Sequence, residues 1–338
     1  MTPVPVSVVM PVFNAEESIN SAIDSVLAQR SVPFELVVVD DGSTDATPRI
    51  LDERASCDNR IRVLSMARCG VARALNEGID ASRGELIARM DADDVMHPRR
   101  LALQAGFLQR NPGVGVVASR VTFAGSGGGA GRGFHQYVTW QNGLLTHGEL
   151  YRNRFVESPL AHPSVMFRRS VAQTHGVYRE GDFPEDYELW LRWFECGVIF
   201  AKIPRELVVW SDSPHRLSRA DPRYRAEAFY RCKSRYLARW LQRTVSRPLY
   251  VCGAGRLSRQ RAGMLGERGC RIEGYIDIDP AKAGRVYQGA TVRAPSALPP
   301  PGTAFVLSYV SCRGARAIVR ELLDARGFRE GEDYLCCA

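Results

Sequence analysis

Residues 85–94 read ELIARMDADD, a short apolar run that leads into three aspartates. Apolar runs of this length are typical of strands that are covered on both faces of a parallel sheet. Similar runs occur earlier, at residues 6–10 (VSVVM), 35–40 (ELVVVD) and 61–66 (IRVLSM). Between these runs, apolar residues recur at helical spacing, first at Ile19, Ala22, Ile23, Val26 and Leu27. The alternation predicts an α/β fold with a doubly wound, mainly parallel sheet.

The three aspartates, Asp91, Asp93 and Asp94, follow the carboxyl end of a predicted strand, which is where ligands bind in such sheets. Carboxylates this close together repel one another, and a bound divalent cation would relieve the repulsion. Mn²⁺ and Mg²⁺ prefer carboxylate oxygens and keep coordination positions open for phosphate oxygens. The residues alone leave two interpretations open, a metal site and an acidic turn that caps the following helix.

Two further acidic segments occupy similar positions. Asp40 and Asp41 end a predicted strand, where a carboxylate can accept hydrogen bonds from a base or a ribose, although Gly42 also fits a plain Asp-Gly turn. Glu185 and Asp186 begin a predicted helix, whose dipole favours an ionised carboxylate. A general base must be deprotonated, so this pair is either a catalytic base or an acidic helix start without a further role.

Taken together and in order, these segments resemble the family 2 glycosyltransferases, which have the GT-A fold. The resemblance is carried by VSVVMPVFNAEESINSAIDSVLAQ (6–29), ELVVVDDGSTD (35–45), GVARALNEGIDASRGELIARMDADD (70–94), HPSVMFRR (162–169) and EDYELWLR (185–192). It extends from residue 1 to about residue 215. It rests on these five ordered motifs and not on composition.

The resemblance implies a role for each matching residue. It implies nucleotide contacts at Pro11, Phe13, Asn14, Asp41, Arg68 and Asp91. Asp93 looks like the main metal ligand, with Asp91 as a second metal contact. Asp186 matches the catalytic base, which in an inverting transfer takes the proton of the acceptor hydroxyl as that oxygen attacks the anomeric carbon.

Other candidates lie near these motifs. His215, in SDSPHRLS (211–218), is a candidate metal or phosphate ligand because family members often carry a histidine in such a segment. Glu185 is a candidate acceptor contact. His162 is interpreted as a structural or acceptor-pocket residue. Trp190 lies one helical turn beyond Asp186, where it would stack on an acceptor sugar or pack in the core.

Composition limits the classes of protein that fit. The chain has 338 residues, a net charge of +8 and nine cysteines without a CxxC pair, which favours a reducing cytoplasm over a disulfide framework. The first residues lack the pattern of a signal peptide, and no apolar run approaches the roughly 20 residues that cross a bilayer. The basic excess fits a nucleotide or an anionic membrane surface, and no nucleic acid partner is expected.

A basic helix is predicted for about residues 222–245. Its cationic residues are Arg223, Arg225, Arg231, Lys233, Arg235, Arg239 and Arg243. We call Phe229, Cys232, Tyr236 and Trp240 its apolar stripe. Such a helix either lies on an anionic membrane or packs on its own domain with a solvated charged face.

The strand–helix pattern restarts after Arg247-Pro248, which predicts a catalytic domain at 1–246 and a Rossmann-like domain at 247–338. Gly253, Gly255 and Ser258 form a GxGxxS turn, and Asp277 follows at about the spacing of a ribose-binding acid. The third glycine of the dinucleotide fingerprint is absent. This domain is expected to bind a nucleotide, to mediate homodimerisation, or to be purely structural.

These inferences predict a cytoplasmic, metal-dependent inverting hexosyltransferase that uses Mn²⁺ or Mg²⁺ and a nucleotide-sugar donor, with UDP as the expected carrier. The expected acceptor is a bacterial surface glycan or lipid-linked glycan, with peripheral contact at the inner membrane face. Two alternatives remain, an NAD-dependent oxidoreductase that uses the C-terminal glycines and a non-catalytic subunit that binds a nucleotide sugar. The oxidoreductase leaves the acidic segments without roles.

Overall fold

The structure is a computed structural model that describes residues 5–125, 129–212, 221–311 and 314–338. The chain divides into two compact units. The first unit comprises Met1–Leu150 and Leu160–Tyr224, and the second comprises Tyr151–Pro159 and Arg225–Ala338. Each unit contains its own β-sheet.

The first unit is built on a sheet of eight strands among the described residues, in the order β3-β2-β1-β4-β7-β6-β8-β5. The strands are β1 (Val6–Val12), β2 (Phe34–Asp40), β3 (Ile61–Ser65), β4 (Leu86–Arg89), β5 (Val95–Met96), β6 (Val114–Ala124), β7 (Met166–Arg168) and β8 (Ile199–Ser211). Strands β3, β2, β1 and β4 are parallel neighbours. This order places the carboxyl ends of β1, β2 and β4 along one edge of the sheet, and the predicted α/β fold is confirmed.

The helices follow the strand–helix alternation of the sequence. They are α1 (Ile19–Leu27), α2 (Thr47–Cys57), α3 (Val71–Ala81), α4 (Arg100–Arg110), α5 (Gly129–Gly143), α6 (His147–Asn153), α7 (Arg169–His175), α8 (Glu185–Glu195), α9 (Ala226–Thr244), α10 (Arg256–Gly266) and α11 (Ala315–Asp324). Every residue of β1 and β2 is buried, because helices cover the parallel part of the sheet on both faces.

The second half of this sheet is mixed. Strand β7 lies antiparallel between β4 and β6, and the long strands β6 and β8 pair in parallel. Strand β8 reads IFAKIPRELVVWS, whose polar and apolar residues do not alternate regularly. Its pairing is set by partners far away in the sequence, and the sequence pattern did not predict it.

The second unit has a smaller sheet in the order β11-β12-β10-β9-β13-β14. Its strands are β9 (Leu249–Cys252), β10 (Ile272–Ile276), β11 (Val286–Tyr287), β12 (Ala290–Arg293), β13 (Phe305–Ser308) and β14 (Tyr334–Cys336). All pairs are parallel except β11 with β12. The parallel order β12-β10-β9-β13-β14 is that of a doubly wound sheet, with its switch point between β9 and β13.

The boundary predicted after residue 246 differs from this grouping, because helix α9 belongs to the second unit. Lys233 is buried there, and its ammonium donates to the carbonyls of Val156 and Cys337 at 3.0 and 2.7 Å. The side chain of Gln242 donates to the carbonyl of Arg268 at 2.8 Å. These bonds attach both α9 and the segment Tyr151–Pro159 to the smaller sheet.

The same packing changes the interpretation of α9 as a membrane-surface helix. Cys232 and Tyr236 are buried, and Phe229 and Trp240 are half-buried. Most of the apolar stripe is therefore covered by the second unit, as in an ordinary surface helix. The exposed cations Arg231, Arg235 and Arg243 remain, and attraction to an anionic surface would depend on charge alone.

Within the described ranges, every helix is too short or too polar to cross a bilayer.

Candidate active site

The loops that follow β1 and β2 are tied together at the carboxyl edge of the first sheet. Asn14 has a positive φ of 48°, and its backbone N–H donates to the hydroxyl of Ser43 at 2.9 Å. The backbone N–H of Thr44 returns a hydrogen bond to Asn14 Oδ1 at 2.8 Å. These two hydrogen bonds make Asn14 the connection between the loops after β1 and β2. Its side chain is exposed at the carboxyl edge of the sheet.

Asp41 lies buried at this edge and is surrounded by donors. Its carboxylate accepts hydrogen bonds from the backbone N–H groups of Cys69 at 2.7 Å and Gly70 at 3.0 Å. Arg68 Nη1 donates to the other side of the carboxylate at 2.5 Å. Gly42 permits the close approach of the two loops, because its φ is +74° and a Cβ at this position would lie 2.8 Å from the backbone nitrogen of Arg68. These hydrogen bonds hold the carboxylate in one position.

Phe13 and Arg68 form the exposed wall beside Asp41. Phe13 keeps 40% of its surface exposed, which is unusual for a phenylalanine. An aromatic face and a guanidinium are suited to a flat base and to phosphate oxygens, respectively. Pro11, by contrast, lies within β1 and is buried, and its predicted contact with the nucleotide stays a prediction.

The acidic cluster follows β4 on the same edge. Asp91, Asp93 and Asp94 each offer a carboxylate oxygen, and these oxygens all lie within 4.8 Å of one another. Asp94 is buried, and it accepts a hydrogen bond from the backbone of Ser211 at 2.8 Å. Asp91 and Asp93 are half-buried and reach the surface. Oxygen ligands at this spacing fit Mn²⁺ or Mg²⁺ with coordination positions left for phosphate.

Arg89, the last residue of β4, is buried directly behind the cluster. Its guanidinium forms an ion pair with Asp91, while its Nε has no hydrogen-bond partner among the described residues. The fully buried Arg100 donates to the carbonyls of Arg89 at 2.8 Å and Val165 at 3.3 Å. Arg100 thereby fixes the end of β4, and through it the position of the aspartates.

Helix α8 begins with the second acidic pair. Glu185 is buried and Asp186 half-buried, and the backbone N–H of Tyr187 donates to Asp186 Oδ1 at 2.7 Å. Burial and the neighbouring charge of Glu185 raise the pKa of Asp186 to about 7. The dipole of the helix favours the ionised form, as predicted for this position, but burial beside a like charge outweighs the dipole. A carboxylate with this pKa is suited to accept a proton near neutral pH.

The acidic cluster after β4 and the acidic pair at the start of α8 interact electrostatically with the same two side chains, Arg89 and Tyr178. Burial raises the pKa of both Glu185 and Asp186, and the charge of Arg89, which is paired with Asp91, offsets part of that rise. Burial raises the pKa of the Tyr178 hydroxyl, and the charges of Glu185, Asp186 and Asp91 raise it further. The acidic cluster and the start of α8 therefore lie around one buried centre formed by Arg89 and Tyr178.

Comparison with known proteins identifies the family. The sequence profile described as Glycosyl transferase family 2 matches residues 7–176, which is half of the chain. The chain belongs to this family. The matched segment contains the whole carboxyl edge described above, from Phe13 to the acidic cluster.

Several proteins of similar sequence are named as glycosyltransferases. This family 2 glycosyltransferase is 30% identical over 208 residues to an uncharacterized glycosyltransferase of Haemophilus influenzae, covering 60% of this chain and 64% of that protein. It is 32% identical over 197 residues to the putative glycosyltransferase EpsE of Bacillus subtilis, covering 57% and 67%. It is 28% identical over 244 residues to the O-antigen biosynthesis glycosyltransferase WbnJ of Escherichia coli, covering 71% and 91%. The chain thus spans less than two thirds of the first of these relatives.

A solved structure of similar fold is S. aureus TarS 1-349 in complex with UDP-GlcNAc. It superimposes with a TM-score of 0.56 at 18% identity, covering 78% of this chain and 71% of that chain. At this identity the likeness concerns the fold alone, and it agrees with a GT-A type architecture.

Two of the remaining candidates of the glycosyltransferase, His162 and Trp190, lie near the buried centre. His162 Nε2 and the Tyr178 hydroxyl are 2.6 Å apart, and burial holds the pKa of His162 well below its usual range. His162 is therefore a neutral residue that positions Tyr178. Trp190 has no exposed surface, so it packs in the core and its predicted stacking on an acceptor is wrong. His215 lies outside the described residues.

Three side chains of this site were missed by the sequence reasoning. Arg89 carries a detectable signal, since an arginine that ends an apolar strand just before an acidic cluster is costly to bury without a partner. Tyr178 and Tyr224 lie in segments without a recognisable motif, and their positions depend on the tertiary fold. The hydroxyl of Tyr224 donates to Glu185 Oε2 at 2.5 Å.

In the second unit, Asp277 is occupied by its own chain. Its carboxylate accepts hydrogen bonds from the backbone of Ala254 at 2.7 Å and Asp279 at 3.0 Å, and Lys282 lies 3.1 Å away. Ser258, in place of the third glycine, donates to the carbonyl of Tyr309 at 3.0 Å. These contacts hold the GxGxxS turn and leave Asp277 poorly available for a ribose.

Proposed function

We propose that this glycosyltransferase transfers a hexosyl group from a UDP-sugar to an acceptor hydroxyl with inversion of configuration, with Mn²⁺ or Mg²⁺ as cofactor. One observation carries the proposal. Arg89 forms an ion pair with Asp91, and its backbone N–H donates to the carbonyl of Val165 at 2.9 Å. Three residues before Val165, His162 lies 2.6 Å from the Tyr178 hydroxyl, and its ring is 5.9 Å from that of Trp190 in α8. That arrangement brings a diphosphate site and a general base to one locality, as a direct displacement requires.

Asp91 and Asp93 would hold the cation, whose charge, when it is bound, stabilises the departing diphosphate. Asp94 is less suited to bind a cation, because it is buried and accepts the backbone hydrogen bond of Ser211. The fit rests on the oxygens of Asp91 and Asp93, which lie within 4.8 Å of each other and reach the surface. A hard divalent cation needs such oxygen ligands.

Asp186 would act as the base. Its carboxylate accepts the proton of the acceptor hydroxyl, and that oxygen forms a bond to the anomeric carbon of the donor. The bond between the anomeric carbon and the diphosphate oxygen breaks, and UDP leaves with the bonding electrons. Attack from the face opposite the diphosphate inverts the anomeric configuration, and positioning together with charge stabilisation supplies most of the rate enhancement.

Phe13, Arg68 and Asp41 would receive the nucleotide. The exposed ring of Phe13 offers a stacking surface and Arg68 offers a donor for phosphate, while the hydrogen bond to Asp41 fixes Arg68 in place. A uracil base is supported by the fold that this chain has in common with TarS, which was solved with UDP-GlcNAc. The likeness to WbnJ supports a surface glycan acceptor, and we propose that the reaction takes place in the cytoplasm at the inner membrane face.

The NAD-dependent oxidoreductase is disfavoured by the contacts of Asp277. The carboxylate that would bind the ribose already accepts hydrogen bonds from Ala254, Asp279 and Lys282. Calorimetric titration with NADH and with UDP in Mn²⁺ tests this directly. Binding of NADH but not of UDP would support the oxidoreductase.

The decisive experiment compares the parent with Asp186→Asn. The asparagine oxygen can still accept the hydrogen bond of Tyr187, so the fold and the UDP affinity should be kept. Release of UDP from a panel of UDP-sugars should fall by about 10²- to 10⁴-fold, which is the usual contribution of a general base. The exposed Asp80→Asn on α3 is the matched control. Unchanged turnover in Asp186→Asn refutes the assignment, and no turnover in the parent favours a non-catalytic subunit.

A further inference from the structure

Glu185 has a partner that the reaction does not require. Tyr224 ends a short 3₁₀ turn, Pro222–Tyr224, and its hydroxyl donates to Glu185 Oε2 at 2.5 Å. Glu185 itself is 3% exposed. A buried carboxylate that already accepts a short hydrogen bond is a poor ligand for an incoming acceptor sugar. The predicted acceptor contact at Glu185 is therefore not what this geometry favours.

Glu185 and Asp186 are adjacent in the first turn of α8, and they share one desolvated environment. Two carboxylates in such a place cannot both ionise easily, so one of them keeps the charge and the other gains affinity for a proton. Each carboxyl accepts a direct hydrogen bond, Glu185 from the Tyr224 hydroxyl at 2.5 Å and Asp186 from the backbone N–H of Tyr187 at 2.7 Å. Each bond favours the ionised form of its acceptor. The shorter bond from Tyr224 favours Glu185 as the ionised member, and the charge of Glu185 then makes Asp186 the member that takes up the proton.

The other charged groups around the pair do not reverse this choice. Arg89, at the end of β4, offsets part of the rise that burial causes in the pKa of both carboxyls, and Tyr178 faces them as a neutral hydroxyl. Arg223 lies next to Tyr224, but its guanidinium donates to both oxygens of Asp221 at 2.6–3.1 Å. The Tyr224 hydroxyl donates a hydrogen bond to Glu185 from a side chain, so its effect on the pair can be removed by substitution.

We propose that Tyr224 and Glu185 are positioning residues: the tyrosine keeps Glu185 ionised beside Asp186, so that Asp186 binds the acceptor proton more tightly. The assignment of Asp186 as the base rests on the proposed function. The electrostatic relation between the three side chains does not, and it can be measured on the protein without any donor or acceptor.

The test uses proton linkage to stability. A buried carboxyl whose pKa is raised by folding destabilises the protein as pH rises through that pKa. This loss of stability begins at about pH 4, where the carboxyl of the unfolded chain ionises, and it levels off above the pKa of the folded state, about 7 for Asp186. Asp186→Asn should therefore have the Tm of the parent at about pH 4, exceed it increasingly as pH rises, and keep a constant excess above about pH 7. We call the midpoint the pH at which this excess, before it levels off, rises at half its maximal slope, which is about 7 in the parent. The same difference in Tm is then measured, from about pH 4 to 9, in backgrounds of Tyr224→Phe, Glu185→Gln and the control Tyr137→Phe on α5.

We expect the midpoint to fall by about one pH unit or more in Glu185→Gln, since the neighbouring charge is removed. It should also fall in Tyr224→Phe, because Glu185 then takes the first proton and Asp186 stays ionised to lower pH. The Tyr137→Phe midpoint should equal that of the parent. An unchanged midpoint in Glu185→Gln overturns the proposal, and a shift in Glu185→Gln without one in Tyr224→Phe overturns the role of Tyr224.

Turnover separates this proposal from the proposed function. If the linkage midpoints shift as expected while Asp186→Asn retains full turnover, the proposed base is wrong and the pair is only electrostatic. If the parent releases UDP and Asp186→Asn does not, the acid limb of kcat should move to lower pH in Glu185→Gln and Tyr224→Phe. A fall of kcat by the same factor at every pH would indicate a merely structural role for both residues.

Discussion

The guanidinium of Arg68 lies over the ring of Phe13, with 3.4 Å between the guanidinium carbon and the ring centroid. The same guanidinium donates to Asp41. Arg68 therefore contacts residues of two other loops at the carboxyl edge. It joins the exposed ring of Phe13 to the buried carboxylate of Asp41. This is the arrangement that we assign to the nucleotide.

The first prediction concerns Phe13. Phe13→Ala removes the stacking face but no charge, and base–aromatic stacking contributes about 1–3 kcal/mol. We expect the affinity for UDP, measured by calorimetry in Mn²⁺, to fall about tenfold or more. Ile199→Ala is a matched control, since Ile199 is 39% exposed in the same unit. Equal UDP affinity in Phe13→Ala and the parent would place the base elsewhere.

The parallel half of the first sheet was predictable because its signal is local. Strands buried on both faces must be continuously apolar, and each ends at the point where polar residues resume, as at Asp40 and Asp91. The prediction failed where structure depends on distant partners. Strand β8 pairs with β6 across more than 70 residues, and its mixed pattern does not reveal that pairing.

The same distinction applies to the site. Asp41, Asp93 and Asp186 stand out as carboxylates at strand ends and a helix start, and the resemblance to the family assigned their roles, which stay predictions. Trp190 was ambiguous, because helical spacing alone does not tell which side of α8 faces the core. Tyr224 was missed, since its contact with Glu185 joins residues that are far apart in the sequence.

The second prediction concerns the acidic cluster. Asp93→Ala removes one of the three clustered oxygens and should abolish the dependence of UDP affinity on Mn²⁺, since a diphosphate depends on a cation to offset its own charge. Calorimetry with and without Mn²⁺ measures the effect. Asp80→Ala removes an exposed aspartate of α3 and should retain full metal dependence. If Asp93→Ala binds UDP as the parent does in saturating Mn²⁺, then Asp93 is not a metal ligand.

The third prediction concerns pH. The base must be ionised to accept a proton, and burial with the charge of Glu185 raises the pKa of Asp186 to about 7. The rate should therefore rise with pH and level off above about pH 7, and below that it should fall about tenfold for each pH unit. A profile of kcat at saturating UDP-sugar tests this. A plateau that extends below pH 5 would mean that Asp186 either keeps an ordinary pKa or takes no part in the transfer.

The fourth prediction separates core from acceptor site at Trp190. The ring is fully buried, with His162 and Trp193 at centroid distances of 5.9 and 5.6 Å. Trp190→Ala should reduce the free energy of unfolding by about 3–5 kcal/mol, because it leaves a large cavity beneath α8. Urea denaturation measures this loss, and Trp140→Ala, which removes a half-buried ring of α5, should cost less. A stacking residue would behave differently, since its loss raises the KM for the acceptor while stability is preserved. Because the ring is buried, a Trp190→Ala protein as stable as the parent would contradict its place in the core. Turnover of Trp190→Ala should fall only to the extent that the cavity displaces the start of α8.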